Sequence, residues 1–181
     1  MGISDVRGLG LVGSIIVLFD LYLGYLGVQR TGLLAVVGLV LLLIGVREIA
    51  REANYPKIFR NYLIYFIFTA LFFVFQQFTL NLVFLWILLL IGAIFLRMSF
   101  NKIEVSSGVV MFRYTALIYL IGAVLSIFVV GLIILPIALA LQAVAFYALP
   151  DTIGQIQEEY PEEIEEEAPI EEGYKEPEER L

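Results

Sequence analysis

The chain has 181 residues, of which 61% are hydrophobic, and it contains neither Cys nor His. Soluble domains contain about 45–50% apolar residues, so this composition excludes an ordinary soluble domain, and the missing residues exclude disulfides, thiolate chemistry and imidazole-based metal sites or proton relays. The net charge of −7 divides the chain into two parts, because residues 1–150 hold nine Lys/Arg against five Asp/Glu, whereas residues 151–181 hold two against thirteen.

Apolar runs separated by polar breaks fill residues 1–150 and predict transmembrane helices. The last apolar stretch, residues 114–149, would be about 54 Å long as one helix, whereas the hydrocarbon core of a bilayer is about 30 Å thick. It therefore predicts a helical hairpin that turns at residues 129–131, with Pro136 early in the returning helix. One long kinked helix is the alternative. The predicted spans are residues 9–28, 31–46, 61–77, 81–97, 113–130 and 132–149.

The prediction is an all-α, polytopic integral membrane bundle of six transmembrane helices, five being the alternative, with a disordered acidic C-terminal tail at residues 151–181. The tail is rich in Glu and Pro and has too few apolar side chains to fold alone. If the N-terminus is cytoplasmic, the outer loops carry Arg30 alone. The positive-inside rule then predicts a multi-pass protein of the cell membrane with both termini cytoplasmic. The basic residues on the cytoplasmic segments before the tail are Arg7, Arg47, Arg51, Lys57, Arg60, Arg97, Lys102 and Arg113.

Residues 8–13, GLGLVG, formally match the glycine fingerprint of dinucleotide-binding domains. That fingerprint requires a preceding strand and a βαβ unit, but only seven residues precede it and an apolar span follows. Small residues that let two helices approach closely explain the pattern better. We therefore predict no cofactor.

Asp20 is the only charged residue in the apolar run GSIIVLFDLYLGYLGV, residues 13–28. A charged Asp at the centre of a membrane helix costs on the order of 2.5–3.5 kcal/mol, so it faces the protein interior or reaches a partner. The functional interpretation is an ion or proton site. The structural interpretation, which we favour because no second intramembrane carboxylate completes a relay, is a hydrogen-bonded acid in an outer vestibule. The predicted partners in this polar cluster are Tyr22, Tyr25, Arg30, Gln76 and Gln77.

The segment REIAREA, residues 47–53, places Glu48 and Glu52 four positions apart on a helix. Paired carboxylates could bind a metal ion. Arg47 and Arg51 alternate with them, however, and Glu48 with Arg51 forms a typical helix-surface pair. We predict a solvated, charged helix end that stops before Pro56.

A short internal repeat relates KIFRNYLIYFI, residues 57–67, to VMFRYTALIYLI, residues 110–121, after a one-residue gap. The copies lie two spans apart and share an orientation, which predicts stacked helical hairpins rather than an inverted repeat. Four tyrosines near the inner span ends fit an aromatic belt in the headgroup zone. Packing inside the bundle is the alternative. These residues are Tyr62, Tyr65, Tyr114 and Tyr119.

Pro136 and Gln142 lie in the last predicted span. A proline kink and a buried amide can together line a cavity. The commoner arrangement, and the one we expect, is ordinary packing with an interhelical hydrogen bond from the amide.

Four segments resemble an uncharacterised prokaryotic membrane family, known as domain of unknown function 996. They are GLGLVGSI in the first span, GVREIAR at the end of the second, IFRNYLIYFI, and the stretch that begins FRYTALIYLIGAVLSIFVV. The resemblance covers residues 8–149 and excludes the acidic tail. It implies a compact multi-span helical protein with no assigned activity, and it supplies no catalytic or binding residues.

Enzyme signatures are missing from the sequence, which has no Ser–His pair, zinc motif or phosphate-binding loop. We predict no catalytic or metal site and a non-enzymatic scaffold or complex subunit in the lipid bilayer. Its acidic tail would contact a basic protein partner and not nucleic acid. The alternative is a small transporter or channel that uses Asp20 and forms a homo-oligomer, because six short spans enclose little volume. A cavity that reaches Asp20 would favour the alternative, and a solid core would favour the scaffold.

Overall fold

Six α-helices follow one another through short connections in the computed structural model, which describes residues 2–26, 32–76, 78, 81–128 and 130–156. No strand occurs in these ranges, so the all-α prediction is confirmed. Of the tail predicted at residues 151–181, the part from residue 157 onward lies outside the described residues, whereas residues 151–156 are hydrogen-bonded to the bundle rather than disordered. The helices are α1 Ile3–Tyr25, α2 Leu33–Glu52, α3 Pro56–Gln76, α4 Leu82–Ser107, α5 Met111–Leu125 and α6 Val130–Tyr147.

The helices extend beyond the predicted spans mainly at polar ends. The largest difference is in α4, which continues through the polar segment after Arg97 and ends at Gly108, a residue with φ +72°. Phe100 and Ile103 in that extension are fully buried. Their burial keeps the segment helical although most of its other side chains are polar, and this is why the predicted span ended at residue 97.

The break between α5 and α6 gives six helices and excludes one long kinked helix. A 3₁₀ turn at Ser126–Phe128 follows α5, so the chain leaves the helix before the predicted turn at residues 129–131. Gly131 lies so close to α5 that a Cβ there would overlap the carbonyl oxygen of Gly122 and the backbone of Ser126. Small residues therefore make this tight hairpin feasible.

The six helices form a closed ring, in which each helix packs on its neighbours in the chain and α6 packs on α1. Consecutive helices are antiparallel, as Ile58 beside Ser99 and Phe75 beside Phe84 show for α3 and α4. The connections α1–α2, α3–α4 and α5–α6 thus lie at one end, which we call the hairpin end. The start of α1 and the end of α6 lie at the other, which we call the termini end.

The first hairpin is packed through glycine at its crossing point. A Cβ on Gly13 would lie 2.7 Å from the carbonyl oxygen of Gly38, and one on Gly38 would lie 2.6 Å from that of Gly13. Neither distance is compatible with a side chain, so α1 and α2 touch backbone to backbone. Part of the GLGLVG segment therefore serves close helix packing, as the sequence predicts.

An aromatic cluster, defined as Phe100, Phe112 and Phe146, fills the ring near its termini end. The ring centroids lie 5.2 Å apart for Phe100 and Phe112 and 5.3 Å apart for Phe112 and Phe146. Tyr62 stacks on Phe100 at 6.1 Å. Such pairs contribute about 0.5–1.5 kcal/mol each beyond their buried area.

The predicted tyrosine belt is wrong for three of its four members. Tyr62, Tyr65 and Tyr119 are buried inside the ring, and only Tyr114 is exposed. Their rings pack on one another, since the centroids of Tyr62 and Tyr65 are 5.1 Å apart. Each of the three lies on the side of its helix that faces the bundle interior. The position of a tyrosine near the end of a span does not show which side of the helix it occupies.

A strap, residues 150–156, crosses the termini end of the ring. Its Gly154 N–H donates to the Ser106 carbonyl oxygen of α4 at 2.8 Å, and its Ile156 N–H donates to the Ala53 carbonyl oxygen after α2 at 3.1 Å. Arg7 of α1 pairs with Asp151 at 2.9 Å, but Asp151 is largely exposed and this pair contributes little stability. The backbone bonds therefore hold the strap across the end of the bundle.

The outer surface of the ring is apolar along most of its length. The exposed side chains include many Ile, Leu, Val and Phe residues, among them Leu33, Leu82, Phe128 and Ile133. Five of the helices, α1 to α4 and the segment Met111–Phe128, are long and apolar enough to cross a membrane. A surface of this composition is matched to lipid rather than to water.

We expect Gly13→Ala to lower the free energy of unfolding by about 1–3 kcal/mol, because the new Cβ forces α1 away from α2. Gly8→Ala is the matched control, since a Cβ at Gly8 meets nothing within 4 Å. The measurement is thermal unfolding of both variants in the same detergent. Equal melting temperatures for the two variants would contradict the tight crossing.

Candidate functional site

Asp20 is buried in the ring and binds the start of α2. Only 1% of the residue is exposed, and its Oδ2 accepts a hydrogen bond of 2.7 Å from the backbone N–H of Gly32. Gly32 is the N-cap residue of α2. A carboxylate at this position satisfies a helix N–H that has no intrahelical partner and interacts favourably with the helix dipole.

Gly32 fits this arrangement because of its backbone conformation. Its φ of +108° lies in a region that side-chain-bearing residues rarely adopt. A Cβ at this position would also lie 3.3 Å from the Cβ of Phe73 on α3. The turn that presents the N–H to Asp20 therefore requires glycine on two grounds.

A cavity of about 300 Å³ lies inside the ring next to Asp20. Its exposed members, Gly24, Tyr25 and Gln76, lie at the hairpin end, whereas its deepest members are buried. The cavity therefore opens at the hairpin end and stops near the middle of the bundle. Its polar lining comprises Asp20, Tyr25, Tyr65, Thr69, Gln76 and Tyr119, and its apolar lining comprises Val17, Leu21, Gly24, Phe72, Phe73, Leu89, Leu135 and Leu139.

Two tyrosines from the internal repeat form the floor of this cavity. Tyr65 and Tyr119 occupy corresponding positions of the two repeat copies, and the Tyr65 hydroxyl donates to the Tyr119 hydroxyl at 3.5 Å. Their rings meet edge to face at 5.8 Å. Within the described residues, the buried Thr69 hydroxyl beside them has no hydrogen-bond partner.

The structure brings together three of the six residues predicted for the polar cluster. Asp20, Tyr25 and Gln76 line the cavity, whereas Tyr22 lies on an outer apolar groove that includes Pro136. Tyr22 is two residues from Asp20 and therefore lies on a different side of α1. The other two predicted members, Arg30 and Gln77, lie outside the described residues.

Sequence reasoning missed the hydroxyls of Tyr65, Thr69 and Tyr119 and the Gly32 N–H. The repeat was a usable signal for the two tyrosines, because equivalent residues of two adjacent hairpins can meet inside a ring. The partner of Asp20 is a backbone group, which carries no residue-type signal. Side-chain chemistry therefore suggested only side-chain partners for Asp20.

The second carboxylate pattern in the sequence is structural. Glu48 pairs with Arg51 at 2.8 Å on α2, as the sequence predicts, but the Glu48 side chain is only 14% exposed, so the solvated surface expected there is confirmed for Arg51 alone. No group of three or more carboxylates that could hold a metal ion occurs among the residues that the structure describes. The chemistry available in the cavity is therefore hydrogen bonding, one carboxylate and the faces of aromatic rings.

An apolar exterior, five helices long and apolar enough to cross a membrane, and a cavity lined by five of the six helices define a polytopic helical protein of the membrane-bundle class. The interior of such a protein, rather than its exterior, carries its polar groups.

The chain belongs to the family described as "Protein of unknown function (DUF996)", which matches residues 34–85 and 76–140. It is also similar to the "Uncharacterized protein MJ1644" of Methanocaldococcus jannaschii, with 28% identity over 177 residues that cover 84% of this chain and 96% of the relative. No solved structure matches the chain. The family resemblance seen in the sequence is thereby confirmed, and it carries no stated activity.

We expect Asp20→Leu to lower the free energy of unfolding by about 1–3 kcal/mol, because it leaves the buried Gly32 N–H without an acceptor. Asp20→Asn keeps an acceptor oxygen at the same distance from the backbone. Its free energy of unfolding should therefore lie between those of the wild type and Asp20→Leu. Thermal unfolding of the three proteins in one detergent measures this order. An Asp20→Leu protein as stable as the wild type would show that the bond contributes nothing.

Proposed function

We propose that this protein is a small transporter of the cell membrane that binds a small organic cation in the cavity beside Asp20. The observation that supports this proposal is a cavity inside the ring that reaches a buried carboxylate. The sequence alone favoured a scaffold with a solid core. A cavity beside Asp20 is the feature that distinguishes the transporter from that scaffold.

The composition of the cavity favours a cation of the alkylammonium type. No described Lys or Arg forms an ion pair with Asp20, so a cationic ligand could supply the opposite charge. The rings of Tyr65, Tyr119, Phe72 and Phe73 line the same space, and aromatic faces attract organic cations. A volume of about 300 Å³ is at the lower limit for ligand pockets and suits a small solute.

The closure of the bundle supports an alternating mechanism. The cavity opens at the hairpin end, while the aromatic cluster and the strap fill the termini end. Passage through the ring would therefore require the termini end to open after the ligand has bound. A homo-oligomer is not needed to build the site, because five helices of a single chain line the cavity.

A scaffold or complex subunit is the second candidate. The observation that favours it is the strap, which is hydrogen-bonded to α4 and to the residue after α2, so that the acidic residues beyond Ile156 start at the termini end. A basic protein partner would suit a segment of this charge. This role and the proposed transport both operate without covalent chemistry, so we propose a non-enzymatic protein.

Tetramethylammonium is the probe for the transporter, because it carries a permanent charge and does not cross lipid as a neutral amine. We expect purified protein in liposomes to take up this ion, and Asp20→Asn to reduce the uptake at least tenfold by removing the charge. Tyr22→Phe is the matched control on α1, since Tyr22 lies outside the cavity. Uptake that is absent, or that is equal in Asp20→Asn and the wild type, would contradict the proposal.

The basic residues of the bundle are unevenly distributed between its two ends. All described Lys and Arg residues lie towards the termini end, and their distribution supports a cytoplasmic location for that end. We expect protease added to sealed right-side-out vesicles to leave the C-terminal tail intact and to cleave it once the membrane is permeabilised. Cleavage in the sealed vesicles would place the termini end outside and contradict the proposed topology.

A chain truncated after Ile156 tests the two roles independently. The transporter proposal expects unchanged tetramethylammonium uptake, because every described residue that lines the cavity belongs to the helices before the strap. The scaffold proposal expects loss of the bound partner with the bundle still folded. Loss of uptake on truncation, with the melting temperature unchanged, would show that the cavity does not act alone.

A further inference from the structure

A second buried polar region lies deeper in the ring than the cavity. On α6, Leu135 and Leu139 line the cavity, and Phe146 belongs to the aromatic cluster. Gln142 lies between them on the same face of α6, about 4.5 Å beyond Leu139 along the helix axis. It is fully buried.

Two other helices bring polar groups to the same depth. On α5, Thr115 lies one turn from the floor residue Tyr119, in the direction of Phe112. On α3, Tyr62 lies three residues from the floor residue Tyr65, also towards the aromatic cluster. We call Tyr62, Thr115 and Gln142 the polar layer, because they lie between the cavity floor and the aromatic cluster.

The polar atoms of this layer have no partner among the described residues. The unpaired atoms are the Tyr62 hydroxyl, the Thr115 Oγ1 and both amide atoms of Gln142. The interhelical hydrogen bond expected for Gln142 from the sequence is therefore not formed there. Buried polar groups in proteins are nearly always hydrogen-bonded, and an unpaired amide is especially unfavourable in surroundings as apolar as these.

The buried serines of the same bundle show how a buried hydroxyl is usually satisfied, namely by donating to a backbone carbonyl oxygen. Ser14 donates to the Gly10 carbonyl oxygen at 2.7 Å, Ser99 donates to that of Ile58 at 3.0 Å, and Ser106 donates to a carbonyl of its own helix. The polar layer departs from this pattern on three different helices at one depth. An incorrect placement of one side chain would not leave polar groups of three helices without partners at the same depth.

We propose that the polar layer is a site for internal water. Its groups are neutral donors and acceptors, which suit water and provide no carboxylate for a cation. A Gln amide supplies two donors and an oxygen acceptor, while each hydroxyl can donate and accept. One or more water molecules among these side chains would therefore have the two to four polar partners that buried water requires.

This site extends the polar interior beyond the cavity floor. Water in the layer would lie on the far side of Tyr65 and Tyr119, next to the aromatic cluster that fills the termini end. The barrier to water through the ring would then be the aromatic cluster and the strap, and not the whole inner half of the bundle. The inference rests on the unpaired atoms, so it holds whether or not a cation binds at Asp20.

Magic-angle-spinning NMR of the full chain in lipid bilayers tests the proposal, with transfer of magnetisation from water to the Gln142 side-chain amide as the readout. The Gln76 amide, which lines the cavity mouth, is the positive reference, and the backbone amide of buried Ala93 is the negative reference. We expect transfer to Gln142 to exceed that to Ala93 several-fold. Transfer no greater than that to Ala93 would overturn the proposal.

Two variants assign the signal to the layer. Thr115→Val keeps the shape of the side chain and removes a hydroxyl of the layer, so it should weaken the transfer to Gln142. Thr69→Val is the matched control, because it removes a hydroxyl that lines the cavity instead. An equal loss of transfer to Gln142 in both variants would assign the water to the cavity and overturn the proposal of a separate site. If a variant does not fold, the comparison of Gln142 with Ala93 in the wild type still tests the proposal.

Discussion

The contact between the first and last helices is the interaction on which the interior of this protein depends. Gly10 of α1 leaves the space that the ring of Phe146 on α6 occupies, and Arg7 donates to the Leu149 carbonyl oxygen at 2.7 Å. Without this contact the ring would be an open sheet of helices, and the inner face of α1, which carries Asp20, would meet lipid. Closure converts that face into a wall of the cavity, and it makes a buried carboxylate tolerable in a bundle with an apolar exterior.

The interior is ordered along the ring axis, whereas the exterior is uniform. A cavity with a carboxylate, a layer of unpaired neutral groups and an aromatic cluster succeed one another from the hairpin end to the termini end. Lipid is as apolar as the exposed side chains, so burial of hydrocarbon does not by itself hold the helices together. Close packing at Gly13 and Gly38 and aromatic stacking inside the ring perform that role.

Much of the fold was predictable because apolar length and helix periodicity are local properties. The six helices, the close-packed glycines and the Glu48–Arg51 pair follow from the sequence, and Asp20 stands out as the one acid in an apolar run. The extension of α4 was not predictable, because it depends on burial of Phe100 by other helices. The partner of Asp20 was not predictable either, because it is a backbone N–H. The cavity floor was not predictable because it forms only when the ring of helices closes.

The closed ring also constrains how the protein can be made. A ribosome delivers the helices in order, so α1 and α2 enter the membrane before α6 exists. During that interval the Asp20–Gly32 bond and the Gly13–Gly38 crossing are already available, because both lie within the first hairpin. The Asp20 carboxylate can therefore be hydrogen-bonded to the Gly32 N–H while α6, its final wall, is still missing.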